Sequence, residues 1–127
     1  MRARVLVGLV VMVAGLGVGQ VQAQELPQCV PTTMVVNRQG DGTAITVGAT
    51  AVMVLDINTL ACQRTIRNIG SAPMHCMSVG QGVPTPTKGQ LFNPGEQLTM
   101  LTEGRQSWQC IRTTGTSTTV NTIEAMP

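Results

Sequence analysis

Beyond residue 31 this sequence never sustains a 3.6-residue apolar repeat. Short runs rich in Thr, Val, Ile and Met are cut roughly every 8 to 12 residues by Gly, Pro, Asn and Asp. Such a chain cannot bury one face of a helix, but it can bury alternate residues of strands. The runs are 32–37, 43–47 continuing through a kink at Gly48 into 51–55, then 63–69, 74–79, 90–92, 97–101, 107–113 and 117–124. Gly48 reads as a bulge within one strand. Asn93-Pro94-Gly95-Glu96 matches a type II turn, with Pro second and Gly third. Glu103-Gly104 reads as a further turn, and Thr113-Thr114-Gly115-Thr116 as a hairpin joining the last two strands. The expected fold is all-β: a small antiparallel β-sandwich of about eight short strands, Greek-key or jelly-roll-like, in one domain over 32–127.

The N-terminus has a different grammar. Arg2 and Arg4 precede an uncharged apolar run over 5–18, and Val21-Gln22-Ala23 supplies the small residues of a cleavage site. That is the layout of a secretory signal over 1–23, and the run falls short of the roughly 18 residues a spanning helix needs. Residues 24–31 would then form an N-terminal arm pinned by Cys29. Localisation is expected to be periplasmic or extracellular, with no membrane insertion after cleavage.

Removing the leader also removes the excess charge. Arg2 and Arg4 are two of eight basic residues, so the remainder balances the six acidic ones. No basic stripe is left for nucleic acid. One Phe, one Trp and no Tyr leave little for stacking bases or sugars.

All four cysteines, Cys29, Cys62, Cys76 and Cys110, follow the leader. In an oxidising compartment that reads as two disulfides with three allowed connectivities. Cys76 and Cys110 each sit mid-strand, and bridging them closes a loop worth ~3–4 kcal/mol by chain entropy. Cys76–Cys110 with Cys29–Cys62 is therefore the favoured pairing.

The alternative for Cys76 is a soft-metal site. Met74, His75, Cys76 and Met77 bring thioether, imidazole and thiol together in sequence, the ligand types that copper sites use. Strand alternation divides them, however: Met74, Cys76 and Ser78 share one face, His75 and Met77 the other. Cys110 likewise shares a face with Trp108 and Arg112. Met34, Met53 and Met100 read as core gap-fillers.

No GxSxG, HExxH or P-loop is present, and Asp41, Glu96 and Glu103 each stand beside a glycine as turn residues. The expectation is a protein that is not an enzyme and takes no cofactor. Asn68, just before Ile69-Gly70, reads as a turn-satisfying side chain, and Arg67 as a solvent-facing strand residue. A binding surface, if it follows the usual rule for loops on rigid sandwiches, lies on 80–89 with Gln81, Val83, Pro84, Thr85, Pro86, Thr87 and Lys88.

Three stretches, QRTIRNIGSAPMHC, TKGQLFNPGEQLTM and WQCIRTTGTSTTVNTIE, with AITVGATAVMVL before them, resemble small phage-associated β-sandwich proteins. The resemblance spans about residues 43–124 and rests on strand and turn grammar. It implies a virion accessory or decoration-like role and a cysteine pair matching Cys76 and Cys110. With the leader, it implies a secreted structural or interaction protein at the envelope or outside the cell, with a protein partner or self-association.

Overall fold

In a computed structural model, described for residues 29–101 and 105–127, the chain forms nine strands in two antiparallel sheets. The leader over 1–23, residues 24–28 of the arm and the Glu103-Gly104 turn lie outside the described residues. The strands are β1 (Thr33–Val36), β2 (Ile45–Val47), β3 (Val52–Leu55), β4 (Gln63–Asn68), β5 (Met74–Ser78), β6 (Gln90–Phe92), β7 (Gln97–Met100), β8 (Trp108–Arg112) and β9 (Thr118–Met126).

One sheet runs β1-β9-β4-β7, with β2 also on β9, and the other runs β3-β8-β5-β6. β1 meets the C-terminal half of β9 and β2 its N-terminal half, so the two are one interrupted strand. Counted that way, the first strand pairs with the last, the second with the seventh, the third with the sixth and the fourth with the fifth. That folded-hairpin order is a jelly roll.

The interruption is written in Asn37-Arg38-Gln39-Gly40-Asp41-Gly42. Asn37 and Asp41 take left-handed φ of 50° and 52°, a region Asn and Asp tolerate, and Gly42 follows at 89°. Asn37 is buried and holds both sides of the gap. Its backbone N–H donates to the Thr122 carbonyl, and its side-chain oxygen accepts from the Thr122 N–H at 2.7 Å.

Two connections differ from the sequence expectation. Gly48 does not kink one strand: β2 lies in the first sheet and β3 in the second, so 48–51 is a crossing between sheets. The bulge falls later, between Met53 and Leu55. The segment 113–117 likewise makes a corner and no hairpin, because β8 pairs with β3 and β5 while β9 pairs with β1, β2 and β4. The Arg112 N–H donates to the Gly48 carbonyl, binding the two corners together. The 93–96 turn matches its expectation, with Gly95 at φ 88° and Glu96 N–H donating to the Asn93 carbonyl.

The core follows strand parity. Val120 and Thr122 of β9, Ile66 of β4 and Met100 of β7 point inward from one sheet; Val54, Met74, Cys76, Phe92 and Cys110 answer from the other. Trp108 packs half-buried against them. Met100 fills the core as expected, whereas Met53 is half-buried. Met34 is 65% exposed, because β1 is an edge strand and its residue faces outward.

Candidate functional site

Two disulfides use all four cysteines, Cys29–Cys62 and Cys76–Cys110. Cys76 stands directly opposite Cys110 in the β5–β8 ladder, with Cα atoms 4.1 Å apart, and both are fully buried. This is the narrow pair of an antiparallel ladder, where side chains approach closest. Cys62 immediately precedes β4, so its bridge to Cys29 fastens the segment leading into β1 to the sheet.

The four soft donors do not converge. Cys76 sulfur is bonded to Cys110, Met74 is buried in the core, and His75 and Met77 lie on the outer face. His75 instead shares a 2.8 Å hydrogen bond between Nδ1 and Thr113 Oγ1.

The loop 80–89 is anchored at its middle. Pro84 is fully buried while Gln81, Val83, Thr85, Pro86, Thr87 and Lys88 are exposed. Thr85 and Lys88 exchange backbone hydrogen bonds at 3.1 Å. The loop ends lie over Met77: a Cβ added at Gly89 would stand 3.0 Å from Met77 Cγ. The loop therefore forms a partial third layer on the second sheet, with its tip toward solvent.

The densest polar chemistry lies elsewhere, at one end of the sandwich, and was not singled out by the sequence reading. Arg64 shares the inward parity of Ile66 and Asn68 on β4, and Glu124 that of Val120 and Thr122 on β9. The register sets them opposite each other. Both are buried, and Arg64 Nε lies 3.2 Å from Glu124 Oε2. Arg38, from the turn between β1 and β2, adds two bonds to the same carboxylate at 2.8 and 3.2 Å, and Asn58 Nδ2 a third at 2.8 Å. Arg64 also donates to the carbonyls of Gln106 and Asp56. Asp56 accepts from the Ile57 N–H and from Ser107 Oγ.

Burial pushes the Glu124 carboxyl up, but the hydrogen bonds from Arg38 and Asn58 and the two guanidinium charges outweigh it, so it lies below its ordinary value. Asp56 is also held low, by the Ile57 N–H first and Ser107 second. Every charged group of this cluster is committed to another group of the protein, which makes it a pin joining β4, β9 and three loops. The clue in the sequence was a charged residue standing on the apolar parity of a strand.

A second node is Asn68. Its amide donates to the carbonyls of Ala72 and Phe92 at 2.8 and 3.0 Å, and its oxygen accepts from Gly70 N–H and Thr118 Oγ1. The expected turn role holds, and the same side chain also joins the two sheets. Arg67 is exposed, as expected of a solvent-facing strand residue.

Outside these nodes, one of the exposed apolar parts of the surface lies on the first sheet. Met34, Ala125 and Gln63 form one cross-strand row on the outer face of the first sheet, and Val36, Ile123, Thr65 and Thr99 the next. A shallow groove of about 400 Å³ lies beside the first row, lined by Pro31, Thr32, Thr33, Met34, Gln63 and Ala125. Among the described residues no helix is long and apolar enough to cross a membrane. The chain matches no protein-family model, no curated protein and no solved structure.

Proposed function

We propose that this chain is an exported, non-enzymatic structural or interaction module that works by protein–protein contact in the periplasm or outside the cell, as a surface component or virion accessory protein. The observation carrying this reading is how its reactive groups are spent. The four sulfurs are consumed in disulfides, Arg38, Arg64 and Glu124 hold one another, and His75 is engaged by Thr113. What faces outward is a jelly-roll surface of threonines, an apolar edge at Met34 and Val36, and an anchored loop. Two disulfides in a chain with a leader-like N-terminus support an oxidising compartment. The virion placement comes from the resemblance in strand and turn grammar.

The test is expression in a bacterium with the native N-terminus, followed by fractionation and non-reducing mass analysis. A processed chain with no alkylatable thiol is expected outside the cytoplasm, co-purifying with an envelope or phage-particle protein. An unprocessed cytosolic chain with four free thiols, or a processed one with neither a partner nor self-association, defeats the reading.

A further inference from the structure

We infer that the free edge of β1 is a self-pairing surface, through which two copies of this chain join their first sheets antiparallel about a two-fold axis at Val35. The inference deepens the contact reading above and rests on it. Its basis is the direction of the backbone groups. The Asn37 N–H donates to the Thr122 carbonyl, and this pair continues the register Val36↔Ile123. Antiparallel ladders alternate, so Thr33, Val35 and Asn37 face β9, and Met34 and Val36 aim N–H and C=O the other way. Among the described residues no strand lies on that side. Two donors and two acceptors are therefore offered in a row, in a strand with no charge, proline or bulge.

The other edges are blunted, as edges usually are. β3 carries the shift between Met53 and Leu55, and β6 is three residues long and runs into Asn93-Pro94. β7 presents Gln97 and Thr99. β6 exposes a single large apolar side chain, Leu91 at 45%, whereas β1 exposes two beside its free backbone, Met34 at 65% and Val36 at 47%.

Three features select a second copy as the occupant. Pro31 cannot donate, the Thr32 N–H is already given to the Met126 carbonyl of β9, and the left-handed Asn37 turns the chain away, so the usable edge is confined to 33–36. Placing the two-fold at Val35 sets Met34 opposite Val36 of the other copy twice over, which satisfies all four free backbone groups on each chain. The same alignment joins both Met34 and both Val36 side chains into one apolar strip, continuous with Ile123 and Ala125 on the outer faces. Charge permits it: the strand is neutral, and the nearby Arg38 is neutralised by Glu124. The area sets the strength. One short strand pair falls well below the ~800 Å² per partner of a standard interface, so dissociation on the order of 10–100 µM is expected.

The experiment is sedimentation velocity on the purified exported chain from about 1 to 500 µM, with backbone amide exchange on the same samples. Wild type should shift from monomer to dimer, with Met34 and Val36 amides protected only at high concentration. Val36→Pro removes an N–H that faces the free edge and leaves the β9 ladder whole; it should weaken dimerisation at least tenfold with an unchanged melting temperature. Should Val36→Pro fail to fold, Met34→Lys, which sets like charges across the two-fold, carries the same expectation. Wild type that stays monomeric throughout overturns the inference, as does a folded variant that dimerises like wild type. Edge amides protected in the monomer also overturn it, since another segment would then cover β1. A heterologous partner captured by a chain that is itself monomeric sinks this inference and leaves the contact reading intact.

Discussion

Replacing Glu124 by Gln keeps the side chain's shape and removes its charge, which isolates the ionic part of the pin. Glu124 is 1% exposed and Arg64 0%, so the substitution leaves a buried guanidinium facing a neutral amide. Breaking a buried pair from one side typically costs 3–5 kcal/mol. Arg64 keeps its bonds to the carbonyls of Asp56 and Gln106, which places the expected loss near the lower bound, at ~3 kcal/mol. Arg38 provides the internal control. Its side chain is 38% exposed, so Arg38→Ala should cost no more than about 1 kcal/mol after solvent screening. Against a net stability of about 5–15 kcal/mol for such a domain, the two outcomes are well separated. Urea denaturation reads them: at a slope of ~1–3 kcal/mol/M, Glu124→Gln should lower the midpoint by about 1–3 M with little change in slope. The pH dependence follows from the same group. The folded carboxyl lies below its unfolded value, so the stabilisation is complete above the ordinary carboxylate range, near pH ~4.3, and is lost as pH falls through the folded value. Wild type should therefore weaken on acidification below that point, and the Gln variant should show a shallower acid slope. A loss under about 1 kcal/mol for Glu124→Gln, or an identical acid slope, would refute the claim that this pair holds the end of the sandwich.

Three further outcomes are expected. Replacing Cys76 and Cys110 together by Ala opens a bridge of sequence separation 34 and should cost ~3–4 kcal/mol by differential scanning calorimetry, plus the small cavity left between two fully buried positions. Asn68→Ala strands the carbonyls of Ala72 and Phe92 and the hydroxyl of Thr118, so equilibrium unfolding should show a loss of ~2–4 kcal/mol; Asn68→Asp, which keeps the acceptor and removes both donors, should not rescue it. Gly70→Ala would set a Cβ 2.6 Å from the Thr119 backbone nitrogen, where nothing flexible can yield, and should cost at least 1–3 kcal/mol in the same assay.

How far these features could be read from sequence depends on whether they are local. The β-strands lie close to the apolar runs, and the 93–96 turn and the αL residues around Gly42 sit where Pro, Gly, Asn and Asp place them, because those choices are made within four residues. The sheet to which each strand belongs is not local. Gly48 and Gly115 look alike as strand breaks whether the chain bends, bulges or crosses the sandwich. Only the pairing of β2 with β9 and of β3 with β8 distinguishes these cases. The Arg64–Glu124 pair was hidden for the same reason, since its partners are brought opposite by register across most of the domain. Each charge nevertheless announced itself singly, by standing in phase with buried neighbours: Arg64 with Ile66, Glu124 with Val120.

That pattern bears on why a jelly roll this small carries both an ionic pin and two disulfides. Its pairings are almost all distant, first strand with last and second with seventh, so loop-closure entropy is spent before native contacts return it. Cys76–Cys110 closes the second-sheet wrap, and Cys29–Cys62 ties the segment leading into β1 to the residue before β4. The Arg64–Glu124–Arg38 cluster then joins β4, β9 and the β1–β2 turn at the same end of the first sheet. Two of these three reinforcements therefore fall on the first sheet, holding in place the edge strand β1 beyond its pairing to β9. An edge kept so firmly in register, with Met34 and Val36 left bare, is preorganised to receive a strand, and this links the stability of the domain to its contact surface. Loosening the pin by Glu124→Gln should accordingly weaken self-association as well as folding, whereas Arg67, exposed on β4 and outside both networks, should affect neither when changed to Ala.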